Sequence, residues 1–393
     1  MNIYNRIEEI YKDLVNIRRD IHMHPELGFE EFRTQKRIIE HLKSYGIDSI
    51  QKIAKTGVMA IIEGNKSDIG NVVALRADID ALPITEEFDS DYKSLNEGKM
   101  HACGHDVHTT ILLGTAKILN EIRNEFSGSV KLLFQPAEET TGGAMPMIEE
   151  GCLENPTVDY TLGLHVMPYY DYGHVELKYD KLNASTDNIE IIINGKSGHA
   201  AYPETATDAI VVSSYVIGAL QSLISRNISP LDSAVLSFGK INGGTKENII
   251  SDKVTILGTL RTLNPETRSF MKDRIKDIVE NTSKAFGGIG EVNINPGYEP
   301  LINDNELIDV LIQTANEELD ENKIHMKKFS SLGGEDFSYF SNRVKGAFYH
   351  IGCGNKELGM TASLHNSSFA VDERCMKTGV LMQVKNTLKL LQK

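Results

Sequence analysis

The chain has 393 residues, 40% hydrophobic and 24% charged, the balance of a globular protein rather than a disordered or fibrous one. Its formal net charge of -14 leaves no basic stripe to displace phosphate counterions, which argues against a nucleic-acid partner. The length exceeds the roughly 250 to 300 residues at which one hydrophobic core stops growing, so two domains are expected.

The opening MNIYNRIEEIYKDL has no apolar segment of the kind a signal peptide needs, and no run of about 18 apolar residues is expected to span a membrane. A cytoplasmic protein is expected. Four cysteines, Cys103, Cys152, Cys353 and Cys375, lie far apart and are too few for a disulfide scaffold of this size.

Ile7, Ile10, Tyr11, Leu14, Ile17 and Ile21 recur at helical spacing and predict a helix over 5–22, stopped before Pro25. A second helix is expected over 30–45, closed by Gly46, then buried strands at 57–62 and 72–77 and a helix from about 106 with Ile111, Leu112, Ile118 and Leu119 on one face. A strand at 130–134, a short helix at 144–150 and a strand at 160–166 continue the alternation of an α/β layer with a largely parallel sheet. From 183 the order becomes strand 188–193, helix 207–225, strand 234–241, strand 254–260, helix 265–285 and strand 291–295. That is βαββαβ, the ferredoxin-like order. After Pro300 the α/β pattern returns, with a helix over 303–319, a strand over 347–351 and a final helix over 372–391. The expected organisation is a mostly parallel α/β domain, 1–182 and 300–393, split by an inserted ferredoxin-like domain, 183–299.

The densest cluster of reactive side chains is HACGHDVH at 101–108. Histidine and cysteine are preferred ligands of zinc-like ions, and Cys103 and His105, two apart in an extended segment, would face one side. A capped helix start, with Asp106 on free N–H groups and Cys103 merely buried, reads the same residues otherwise. In QPAEE, Glu138 and Glu139 would face opposite ways, one towards a metal and one towards substrate as a base; a solvated acidic loop is the alternative. In LRADIDALP, Asp78 and Asp80 share a face and suit the orientation of a ligand histidine, or else form a turn before Pro83. His165 sits in an apolar strand, where a satisfied core histidine is the commoner case, and His365 sits in the polar stretch SLHNSS. In the insertion, His199 in GKSGHAAYP, Asn248 and Arg261 form either turn and surface positions or a donor set for an oxyanion and a carboxylate.

Taken in order, HMHPELGFEEFRTQ, RADIDALPI, MHACGHDVH, FQPAEE, LGLHV, SGHAAYP and LHNSSF resemble the metal-dependent amidohydrolases that include hippurate hydrolases, indoleacetate-conjugate hydrolases and N-acetyldiaminopimelate deacetylases. The likeness runs over nearly the whole chain. It implies two divalent ions, zinc or manganese, on Cys103, His105, Glu139, His165 and His365, with Glu138 as general base. It further implies Asp78 or Asp80 as the orienting aspartate, with the role leaning to Asp78, His199 on the oxyanion, and Asn248 or Arg261 on the substrate carboxylate. The inserted domain would serve as a lid and join a homodimer or larger homo-oligomer. The substrate would be an N-acyl amino acid. Related enzymes carry a carboxylate where this chain has Cys103. Two other readings of the same residues are a hydrolase with Cys103 as nucleophile and a metal-binding homologue without catalysis.

Overall fold

A computed structural model describes residues 1–66 and 70–392. The chain divides into two compact units, one of Met1–Asp180, Ile302–Lys328 and Asp336–Lys393, the other of Lys181–Leu301 and Phe329–Glu335.

The first unit is built on an eight-stranded sheet in the order Ile50–Ile53, Gly57–Glu63, Ser129–Gln135, Val72–Asp78, Tyr160–Asp171, Lys345–Gly354, Val175–Leu177, Ile324–Met326. The four central strands run parallel. The two at the Ile50 edge join antiparallel, and so does Val175–Leu177 to its long neighbour, while the last edge pair is parallel. The sheet is therefore mixed, with a parallel centre. All of Val72–Asp78 is buried, as expected of a strand covered on both faces, which reads as a continuous apolar run. Helix Ile3–His22 buries Ile7, Ile10, Leu14, Ile17 and Ile21 on one stripe, the spacing of an amphipathic surface helix. Helix His105–Glu121 is instead buried around most of its circumference, and helix Cys375–Leu391 packs into the same core. Asp78 and Gln135 are paired across the two parallel strands that they end, so the loops that follow leave the sheet side by side. Carboxyl ends of parallel strands are where such folds place their chemistry.

The second unit holds four antiparallel strands in the order Ala234–Gly243, Lys253–Thr262, Asp187–Asn194, Ile289–Pro296, with helices Ala209–Arg226 and Pro265–Ala285. Along the chain the order is βαββαβ. Alternation puts Ile189, Ile191 and Ile193 on the inner face with Val212, Val216, Leu220, Met271, Ile275 and Val279 from the helices. Asp208 and Asn264 cap the two helices through their side chains, and Pro265 starts the second. The segment Phe329–Glu335 also belongs to this unit, beyond the division at 183 and 300 drawn from sequence. Ser331 donates its N–H to Leu182 O at 2.8 Å and accepts from Ala184 N at 3.1 Å, a local ladder with no signature in the Gly/Ser-rich sequence. Among the described residues one helix, Ala209–Arg226, is long and apolar enough to cross a bilayer, although serines and Gln221 interrupt its apolar run. One of its faces lies in the core of its own unit.

Candidate metal centre

Cys103 and His105 do not sit on an extended segment. Gly104 between them is left-handed, with φ 85°, and a Cβ there would lie 2.4 Å from Val166 Cγ2, so only glycine makes this turn. The turn starts the helix at His105 and swings both side chains to one place. Asp106 does not cap that helix. It takes Arg18 Nε at 2.7 Å and His22 Nδ1 at 2.8 Å, and His22 Nε2 reaches Glu86 at 3.1 Å.

Donor atoms of Cys103, His105 and His165 lie within 4.8 Å of one another, as do those of Cys103, Glu139 and His365, and those of His105, Glu138 and Glu139. The thiol is central: Cys103 Sγ is 3.3 Å from both His165 Nε2 and His365 Nε2. Glu139 Oε1 is 3.0 Å from His365 Nε2 and 3.9 Å from His105 Nε2. His165 lies mid-strand in Tyr160–Asp171 rather than at a sheet end, its Nδ1 fixed by Val166 O at 2.7 Å, which leaves Nε2 facing the thiol. His365 has φ 61° and donates its N–H to Ala102 O at 2.9 Å, which ties it to the Cys103 segment.

The strand ends at Asp78, yet both aspartates reach one ring, with Asp78 Oδ2 3.6 Å from His105 Nε2. Asp80 Oδ1 meets His105 Nδ1 at 3.1 Å, and its Oδ2 accepts the Glu139 N–H at 3.0 Å. Asp78 also holds His108 Nδ1 at 2.6 Å and Arg76 at 2.7 Å. The hydrogen bond to His105 Nδ1 comes from Asp80, while Asp78 lies against the Nε2 side of the same ring. Glu138 and Glu139 are likewise not extended: Ala137 before them has φ 57° and begins a turn, with Gly142 N bonded to Ala137 O at 3.0 Å.

Electrostatically the pocket is an excess of acceptors. Burial alone would depress His105, yet Asp78, Asp80 and Glu139 outweigh it and lift the imidazole to about 10. Burial and then the charges of Glu139 and Glu138 push the Cys103 thiol far up, and burial pushes His165 far down. His105 Nε2 and Glu139 Oε1 are buried without a hydrogen bond. Thiol, imidazole and carboxylate converging on such atoms fit divalent transition-metal ions, whose charge would reverse this logic and ionise the thiol.

The family model for peptidase family M20/M25/M40 matches residues 74–385. The chain belongs to this family. Among M20 relatives it is 40% identical over 381 residues, 97% of this chain and 96% of the other, to a Synechocystis protein, sll0100, described no further than as a hydrolase. It is similar in structure to a protein of methicillin-resistant Staphylococcus aureus provisionally described as an aminohydrolase (33% identity, all of both chains, TM-score 0.94). It is similar also to YXEP of Bacillus subtilis, a dinuclear metal binding peptidase of the M20 family (32% identity, 98% of this chain and 99% of that one, TM-score 0.85).

In the second unit of this M20 chain, His199 pairs in register with Ile249, and Ala200 N bonds Asn248 O at 3.2 Å, which brings His199 and Asn248 together. Arg261 lies at the opposite end of the sheet: Lys253 pairs with Asn194 at one end and Leu260 with Asp187 at the other. Sequence reasoning missed a buried network behind the centre. Arg76 bonds Asp336 Oδ1 at 2.8 Å and Gln135 Oε1 at 2.8 Å, and Gln135 Nε2 donates to Asp336. The available signal was a charge at Arg76 inside an apolar strand, since buried charges are found paired.

Proposed function

We propose that this chain is a two-metal amidohydrolase that cleaves N-acyl amino acids into carboxylate and free amino acid. The convergence of Cys103, His105, Glu139, His165 and His365, with Glu138 beside them, carries this reading. Two divalent ions, zinc or manganese, held by those five residues would supply Lewis-acid polarisation of the amide carbonyl and lower the pKa of water. Glu138 takes the proton of the attacking water and passes it to the leaving nitrogen. Asp80 fixes the tautomer and direction of His105 through Nδ1, so that Nε2 is the ligand atom.

The N-acyl amino acid class rests on the resemblance of the separated motifs, with His199 assigned to the oxyanion and Asn248 or Arg261 to the carboxylate. The insertion serves as lid and as the contact with a second copy. Ile210, Val211 and Tyr215 are exposed on helix Ala209–Arg226, and Ala234–Gly243 is an edge strand, a pairing surface for the same strand of another chain. A Cys103 nucleophile is disfavoured, because burial holds that thiol protonated. The acidic charge argues against a nucleic-acid partner. The test is metal analysis of the purified protein followed by a panel of acetyl-, benzoyl- and indoleacetyl-amino acids. A zinc- or manganese-loaded protein that hydrolyses none of them refutes the assignment.

A further inference from the structure

The general base stands on a strained turn, and the structure shows what holds that turn. Ala137 immediately precedes Glu138, is fully buried, and has φ 57°, a conformation that residues other than glycine, asparagine and aspartate rarely adopt. Its N–H donates to Glu31 Oε1 at 2.9 Å. The second oxygen of Glu31 accepts from the Thr56 hydroxyl at 2.6 Å, and Glu31 is fully buried. Thr56 follows Ala54 and Lys55, also at positive φ, and Phe29, two residues before Glu31, is a fourth such residue. Thus four of the seven non-glycine residues with positive φ among those described gather around one carboxylate. Such strain persists only where surroundings over-determine it, and it gathers at functional sites. The segment carrying Glu31 is itself anchored. Leu27 bridges Ala81, Ala81 N bonds Glu26 O at 2.8 Å, and Gln35 Nε2 holds Lys55 O and Gly57 O at 3.2 and 3.1 Å.

We propose that Glu31 is a positioning residue for Glu138: its carboxylate holds the Ala137 N–H and so fixes the left-handed turn from which Glu138 projects, while Glu139 is held separately through its N–H by Asp80. This rests on the assignment of Glu138 as proton carrier. A glutamine keeps an acceptor for the N–H and a polar group for Thr56, whereas an alanine keeps neither.

The experiment uses the metal-loaded enzyme and the panel substrate it turns over fastest. Glu31→Ala is expected to lower kcat by about 10²-fold, the scale of a 1 Å misplacement, with KM and metal content little changed. Glu31→Gln is expected to restore kcat to within about threefold, since geometry and not charge is what the residue supplies. Amide exchange at Ala137 should be slow in wild type and Glu31→Gln and fast in Glu31→Ala. In an Ala137→Gly background, where the left-handed state needs no anchor, the loss caused by Glu31→Ala should shrink several-fold. If Glu31→Ala does not fold, Thr56→Val must move Ala137 exchange and kcat in the same direction by smaller factors; no change in exchange overturns the proposal. So does full kcat in Glu31→Ala, or a Glu31→Gln variant as slow as Glu31→Ala. Glu138→Gln is run in parallel: activity retained there removes the functional reading itself, whereas inactivity there with full kcat in Glu31→Ala removes only the role of Glu31.

Discussion

In the first unit several residues of the centre are held by a second polar partner: Asp80 grips both His105 and the Glu139 N–H, Val166 O fixes His165, and Glu31 ties down Ala137. In the second unit His199 is exposed, its Nδ1 engaged only locally by the Ala201 N–H at 3.1 Å, and Arg261 is half-buried at the far end of the sheet from it. The first pattern is what proton transfer and coordination require, because a group misplaced by a fraction of an ångström loses its effect. The second suits groups that meet a ligand after it has arrived. Substitutions in the first unit should therefore abolish function in distinct ways, and those in the second should attenuate it.

The largest effect is expected at Glu138. Glu138→Gln should lower kcat by about 10²- to 10⁴-fold, the range for loss of a general base, with metal content unchanged. Glu139→Ala should instead lose metal. Metal analysis and turnover of the two variants check this, and the reverse pattern would exchange their roles.

Next comes Cys103, central between His165 and His365. Cys103→Ala should lose metal and activity together, whereas Cys103→Asp keeps an anionic ligand and should retain both in part. Mild peroxide should inactivate wild type and spare Cys103→Asp, because the thiolate is the form peroxide attacks. Two metals and full turnover in Cys103→Ala would make Cys103 a packing residue.

How much of this was legible in the sequence follows the same division. HACGHDVH announces itself by density, and the long elements by periodicity, because eight or more residues sample a helix or strand period several times. Ile50–Ile53, Val175–Leu177 and Ile324–Met326 are three or four residues long, too short to show any period. The roles of Asp78 and Asp80 were unreadable because they turn on where the strand stops, and element ends are the least certain feature of a sequence. Asp336 and Glu31 were unreadable for another reason. Their partners Arg76 and Ala137 lie 260 and 106 positions away, and nothing local in GGEDF or GFEEF marks a buried carboxylate.

A smaller effect is expected in the second unit. His199→Ala should lower kcat by about 10²-fold, the cost of one oxyanion donor, while leaving metal content and thermal stability unchanged, since its side chain is exposed. Full kcat in this variant would remove His199 from the mechanism.

The last effect falls on stability rather than on turnover, at the buried Glu31. Burial, with the charge of Asp80 adding to it, outweighs the bonds from Thr56 and Ala137 and raises Glu31 from 4.5 to about 7. Between those two values the folded protein keeps a proton that the unfolded chain has released. Stability from this group is therefore complete below pH 4.5 and is lost as pH rises towards 7, by up to about 3 kcal/mol at 1.36 kcal/mol per unit. Asp336, raised by burial to about 6, has the same sign. Glu31→Gln leaves Asp336 in place, so that contribution cancels in the comparison. The glutamine carries no titrating proton, so the Tm of metal-free Glu31→Gln should match wild type at pH 4.5 and exceed it increasingly up to pH 7, then run parallel. Melts at half-unit steps in the presence of chelator measure the difference directly. A difference independent of pH would mean that Glu31 ionises at its ordinary value, and that its carboxylate is charged when it holds the Ala137 N–H.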